Sequence, residues 1–470
     1  VVRKTMNESR STGAPRWGYT LLLRLHFYAG LLVGPFIFVA ALSGALFALT
    51  PQIESWLYHT ELTTELTGDA HPLASQIGAA RNHIGNDAAL AAVRPAPEAG
   101  QTTRVMFAVD GLQPYEHQAV FVDPVSLAIR GDLVVYGTSG TLPFRIWIDY
   151  VHRHLHLGEV GRYYSELAAS WLWLVALGGL FLWWRRRSAR RSGKDTDRST
   201  LRKWHSRIGV VLLMAFLFFS VTGLTWSKWA GANIAELRAQ LDWGTPGLNT
   251  QIVDSAAAQA HSHGEHAGHG MAMPMATGRD NAPTYDAVLE RARAAGIDAG
   301  MVEIKPATDA TRAWVVREID RSWPTQVDMV AVDPKSMAVT DRVDFETFPI
   351  AAKLTRWGID AHMGILFGLA NQLFVAACAL GLCVMIALGY RMWWLRRPTR
   401  ELSHQRSAQR VWTELLKAPP LALLAMALVA VGLGWFAPVM GVSLGVFLVV
   451  DGLLAFWSYK QSEQATSEYS

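Results

Sequence analysis

Four histidines recur at fixed spacing beside long apolar runs. His26 opens HFYAGLLVGPFIFVAALSG and His205 opens HSRIGVVLLMAFLFFSVTG. A glycine follows each by four residues, at Gly30 and Gly209, and a hydroxyl–glycine pair closes each run, Ser43-Gly44 and Thr222-Gly223. His152 begins HRHLHLG and His362 begins HMGILFG. Each stands six residues before a glycine (Gly158, Gly368) and 31 before a tryptophan (Trp183, Trp393). An ionisable side chain in or beside a membrane helix is costly to place, so by default it marks function. Neutral imidazoles facing each other in a helix bundle are suited to ligate haem iron axially. Filling both axial positions favours electron transfer over oxygen binding. Hydrogen bonds to neighbouring helices are the plainer alternative, but they do not account for the duplicated spacing.

The elements that must position these histidines are membrane spans. The chain has 470 residues, 51% of them apolar. Predominantly apolar runs long enough to cross a bilayer lie at about 20–49, 164–184, 206–226 and 364–395. A further apolar hairpin at about 419–457, broken near Pro438, predicts two more, six in all. The segment 185–207 carries ten Lys/Arg against Asp195 and Asp197, and the N-terminal tail and 391–410 are also basic. These segments belong to the cytoplasm by the positive-inside rule. The net charge of +4 is thus a topology signal, with no pattern pointing to nucleic acid. The predicted division is a cytoplasmic tail 1–19, a first span 20–50 and an external domain 51–151. A second span 152–187, a cytoplasmic loop 188–203 and a third span 204–231 follow. Then come a second external domain 232–352, a fourth span 353–397, a loop 398–418, the hairpin 419–459 and a cytoplasmic tail 460–470. The first span follows an Arg-rich tail but reads as a permanent helix, because its twin lies mid-chain. The two cysteines, Cys378 and Cys383, read as small buried residues, and without CxxCH covalent haem attachment is not supported.

The external segments are duplicated with the helices. Residues 72–85 and 284–296 have helical character, and 119–133 and 329–343 each read as strand, Asp-Pro turn, strand. Asp123 and Asp333 stand 210 residues apart, as do His152 and His362. The spacing of the other histidine pair, 179, differs by an insertion that contains HSHGEHAGHGMAMPM. There His261, His263, His266, His269, Met271, Met273 and Met275 form a tract that either binds copper, nickel or zinc or serves as a polar linker. His152 and His156 are predicted on one helix face by their i,i+4 spacing. The repeat selects His152 as the counterpart of His362 and leaves His156 in reserve. Arg24, Arg153, Arg162, Lys203 and Arg207 are candidate partners for haem propionates, with interfacial snorkelling as the alternative. Gly30, Gly34, Gly209, Gly364 and Gly368 would admit a porphyrin or a neighbouring helix. The charge pattern makes the halves parallel repeats, with one bis-histidine site near each membrane face. A ~20-residue span is ~30 Å long, which puts the two irons roughly 20 Å apart.

At LHFYAG, WHSRIG, HRHLHLGEVGR and AHMGILFG, and at the two VDP-containing external units, the chain resembles the PepSY-associated transmembrane family. That family includes iron-regulated inner-membrane proteins and siderophore-iron reductases, and the resemblance covers about residues 17–397. It implies b-type haems on His26, His205, His152 and His362, two per chain, and reduction of a ferric chelate at the periplasmic face. The expectation is a bacterial inner-membrane, multi-pass α-helical bundle, N-terminus cytoplasmic. Four core helices form two parallel repeats, with a C-terminal hairpin and two small α+β PepSY-like periplasmic domains. Its partners would be lipid, a ferric siderophore or other metal chelate, and a quinol or cytoplasmic reductase as electron donor. No side chain beyond the ligands is assigned a catalytic role. The His/Met tract and the hairpin depart from the family pattern. Two alternatives stay open: a PepSY-type binding or anchor module without redox activity, and a copper-handling reductase or transporter using the His/Met loop.

Overall fold

The computed structural model describes residues 16–85, 88–137, 140–187, 197–252, 284–307, 309–395 and 410–467. Its chain forms two compact units, Val1–Ala41 with Leu157–Gly231 and Leu380–Ser470, and Leu42–His156 with Ala232–Ala379. In chain order the helices before the first strand are α1 (Arg16–Leu32), α2 (Gly34–Leu57), α3 (His59–Leu62) and α4 (Leu73–Ile84). Between the two sets of strands lie α5 (Pro143–His154), α6 (Gly158–Arg187), α7 (Asp197–Val211), α8 (Leu213–Thr225), α9 (Trp229–Gln240) and α10 (Thr284–Ala294). The last are α11 (Ile350–His362), α12 (Gly368–Trp394), α13 (Val411–Leu415), α14 (Pro420–Phe436) and α15 (Pro438–Ser467).

The first unit is helical, as apolar chain in lipid must be, since a helix satisfies its own backbone polar groups. Among the described residues α2, α6, α12 and the Pro438–Lys460 part of α15 are each long and apolar enough to cross a membrane. The pair α7 and α8, bent by 61°, makes a fifth. By length and composition the described residues thus give up to five spans, against the predicted six. The hairpin's first arm, α14, has only 17 residues and stops before Pro438, so one arm alone has spanning length. Gly434 and Gly441 bring the two arms together: a Cβ on Gly441 would lie 2.5 Å from the Gly434 Cα. The predicted first and third spans are both interrupted seven residues after their histidine, at Val33 and Leu212. At Val33 the adjacent Gly34-Pro35 explains the break, because proline supplies no N–H. No proline stands near Leu212.

The second unit is built on one antiparallel sheet. Its strands are β1 (Ala89–Arg94), β2 (Thr103–Ala108), β3 (Glu116–Val122), β4 (Ile129–Tyr136), β5 (Val302–Lys305), β6 (Trp314–Glu318), β7 (Met329–Val332) and β8 (Val339–Val343). Their order is β4-β3-β2-β1-β5-β6-β7-β8. The expected two small domains are therefore one: each meander is a repeat, and the repeats join where β1 pairs with β5, Val93 opposite Ile304. The period-2 pattern sorts the faces. Val93, Val105, Val302, Ile304 and Val316 bury one face under α4 and α10, each contributing about 1.5–3 kcal/mol. Ala92, Met106, Ala119 and Phe121 pack the other face.

The Asp-Pro turns form in both repeats. Asp123 Oδ1 accepts the Val125 N–H at 2.8 Å, and Asp333 Oδ1 accepts the Lys335 N–H at 3.0 Å. The predicted second and fourth spans also need correction, because each is two helices. His152 lies in α5, and His362 ends α11, ahead of α6 and α12. Left-handed residues make the joints: Leu155, His156 and Gly158 in one repeat, Gly364 and Gly368 in the other.

Candidate functional site: two histidine pairs

His26 on α1 and His205 on α7 face each other in the first unit, ring centres 6.4 Å apart and planes at 87°. Each is held by a carbonyl oxygen of a spanning helix. His26 Nδ1 is 3.0 Å from the Val175 oxygen on α6, and His205 Nδ1 is 2.9 Å from the Met385 oxygen on α12. A carbonyl only accepts, so Nδ1 carries the proton and Nε2 keeps the lone pair. One turn beyond each carbonyl stands a glycine. A Cβ on Gly179 would lie 3.0 Å from His26 Cε1, and one on Gly389 3.7 Å from His205 Cε1. Val175 and Met385 are 210 residues apart, and so are Gly179 and Gly389. The cradle is thus duplicated along with the histidines.

His152 and His362 meet in the second unit, ring centres again 6.4 Å apart, planes at 66°. Ser43 on α2 lies with its Oγ 3.1 Å from His152 Nδ1. Gly44 beside it leaves the room, since a Cβ there would stand 3.2 Å from His152 Cε1. His156 does not join the pair. The helix ends at His154, and with positive φ at Leu155 and His156 the predicted shared face does not exist. His156 Nε2 is instead 3.1 Å from the Trp147 carbonyl oxygen, and its ring lies against Trp147.

A metal–nitrogen bond of about 2 Å, with a ring centre about 1.1 Å from its nitrogen given C–N bonds of about 1.33 Å, would set two imidazoles on opposite sides of one metal about 6.2 Å apart. Ordinary edge-to-face aromatic pairs span about 4.5–7 Å, which includes this value. The donor set separates the two cases. Both pairs share one separation, and the Nδ1 nitrogens of the first are proton-bearing and pinned, as ligating histidines are when the other nitrogen faces a metal. A bare metal ion needs more protein ligands than two imidazoles. Among the described residues no group of three or more His, Cys, Asp or Glu could hold one. Two imidazoles suit a metal whose remaining ligands come with a macrocycle.

The predicted propionate partners have protein contacts of their own. Arg24 Nη2 pairs with Glu414 at 3.0 Å, Arg153 Nη2 with Asp149 at 3.4 Å, and Arg162 Nη2 donates to the Trp226 carbonyl at 2.8 Å. Arg207 covers the Trp204 ring. Of the predicted glycines, Gly30 and Gly368 have no side-chain neighbour to admit, while Gly34 faces Tyr390, Gly209 faces the Met385 sulfur and Gly364 faces Gln372. The tract with His261, His263, His266, His269, Met271, Met273 and Met275 lies outside the described residues.

Residues 23–396 match the PepSY-associated TM region. The chain belongs to that family. No curated protein matches it. The PepSY-associated region contains all four histidines and the whole eight-stranded sheet, and α13, α14 and α15 lie beyond it. Membership and the apolar helices together make this a multi-pass membrane protein.

Proposed function

We propose that the chain is a di-haem b reductase of the bacterial inner membrane, passing electrons to a ferric chelate such as siderophore-bound iron on the periplasmic side. The observation that carries this reading is the pair of equivalent bis-histidine arrangements, each with ring centres 6.4 Å apart. Bound there, the haems would supply one-electron carriage. The chain's own part is to hold each imidazole in one tautomer and orientation. Val175 and Met385 do so for the first pair, and Ser43 orients the His152 ring. The basic segments favour a cytoplasmic side for the His26–His205 site, where a quinol or a cytoplasmic reductase would deliver electrons. Reduction to Fe(II) loosens a chelate built of hard oxygen donors.

The test is the visible spectrum of the purified protein, oxidised and dithionite-reduced, followed by addition of a ferric hydroxamate. The expected result is two b-type haems per chain and reoxidation by the chelate. A colourless protein ends the reading. Ser43→Ala removes the outer support of one ligand. It is expected to weaken haem retention at the His152–His362 site about 10–100-fold, measured as haem lost to apomyoglobin, with the other site unaffected.

A further inference from the structure

In the second unit α2 gives a scale along which the His152–His362 site can be read. Ser43 and Gly44 stand level with the His152 ring. One turn on, the Phe47 ring lies under the Arg145 guanidinium, 4.4 Å from its centre. Two turns further, Glu54 accepts the Arg145 backbone N–H at 2.9 Å. Beyond it Tyr58 and Leu62 pack on the sheet. Arg145 is therefore displaced from His152 toward the sheet. It lies seven residues before His152 on α5, about two turns, and so on the same helix face.

The Arg145 guanidinium is not satisfied by protein. Its Nε and Nη2 are buried without a hydrogen-bond partner. Glu54 takes the backbone N–H with one oxygen, and its charge and that of Asp149 reach the guanidinium only through space, with no hydrogen bond to Nε or Nη2. A second guanidinium, Arg321, lies near enough to repel it, and is itself paired with Asp360, two residues before His362. A buried guanidinium with free donors is costly unless an anion completes it. The fork of Nε and Nη2 matches the two oxygens of a carboxylate.

We propose that Arg145 anchors a carboxylate arm of the group held between His152 and His362, a propionate if that group is haem; the assignment rests on the di-haem reading. It also fixes which edge of the macrocycle faces the sheet. Arg145 is then a positioning residue. It compensates a negative charge that would otherwise favour the ferric state.

The experiment is a spectroelectrochemical titration of the full-length protein, wild type, Arg145→Gln and Arg145→Lys, with haem content measured on each. The wave of the His152–His362 haem is identified by its absence in His152→Ala. Arg145→Gln is expected to lower the midpoint potential of that haem and leave the His26–His205 haem where it was. Arg145→Lys keeps the charge without the fork, and is expected to give a smaller fall. Both potentials unchanged in Arg145→Gln overturn the proposal. If Arg145→Gln does not fold, an unchanged potential in Arg145→Lys does so. A merely structural role for Arg145 would disturb both haems or neither. A wild-type protein without haem sinks the parent reading instead, and is seen before any variant is compared.

Discussion

His362→Ala is expected to leave one haem per chain in place of two and to abolish reduction of the ferric chelate. His362 closes α11, and its ring faces His152 at 6.4 Å. Among the described residues no third histidine is brought to that pair. His156 is committed to the Trp147 carbonyl, so it is not placed to take over. The His26–His205 pair has its own carbonyl supports on α6 and α12 and shares no ligand with His362. The variant should therefore keep a normal spectrum at half the intensity, read by pyridine haemochrome per chain. His156→Ala is the control and is expected to keep both haems. Loss of haem from His156→Ala, with both kept in His362→Ala, would reverse the ligand assignment.

Glu303→Gln should destabilise the sheet by about 3–5 kcal/mol, the usual result of removing one partner from a buried charge cluster. Glu303 is 2% exposed on β5. It takes both Nε and Nη2 of Arg94, at 2.8 and 2.6 Å, pairs with Arg317, and has Lys305 Nζ at 3.7 Å. Burial pushes its carboxyl up, but Arg317, Arg94 and Lys305 outweigh burial and hold it well below the usual carboxylate range. Without the carboxylate three cations share one face of the sheet, with Arg104 beside them. The loss corresponds to a fall of about 10 °C in the sheet's melting transition, with faster hydrogen exchange at the β1, β5 and β6 amides. The sign of the pH effect follows from the lowered carboxyl. Its stabilisation is complete above the ordinary value of 4.5 and is lost only as pH falls through the lower folded value. The gap between wild type and variant should thus be constant from neutral pH down to about 4.5 and narrow only below it. Equal melting temperatures at pH 7 would show that the cations are solvated despite their burial.

Much of this architecture is legible in sequence because it is written twice. The Asp-Pro turns and the His-to-Trp spacing recur at one offset of 210 residues, the α4 and α10 helices recur within a residue of it, and each motif has a local physical cause. Three features are not legible for the opposite reason. The joining of two strand units into one sheet depends on which edge meets which, and alternation in β1 or β5 does not encode a partner. The end of α5 depends on left-handed Leu155 and His156, neither of them a residue type that announces such a turn. In the other repeat Gly364 and Gly368 do announce it. The supports of His26 and His205 are backbone carbonyls, which no side-chain pattern reveals. Their one visible trace is Gly179 and Gly389, equivalent glycines inside two spanning helices.

The pairing of β1 with β5 sets two equivalent strands against each other in antiparallel register. That is the self-complementary contact a twofold axis creates between identical chains. A polypeptide holding one copy of the unit would carry this strand as an open edge, covered only when it met a second molecule. Tandem fusion makes the encounter intramolecular, so the seam closes however dilute the protein is in its membrane.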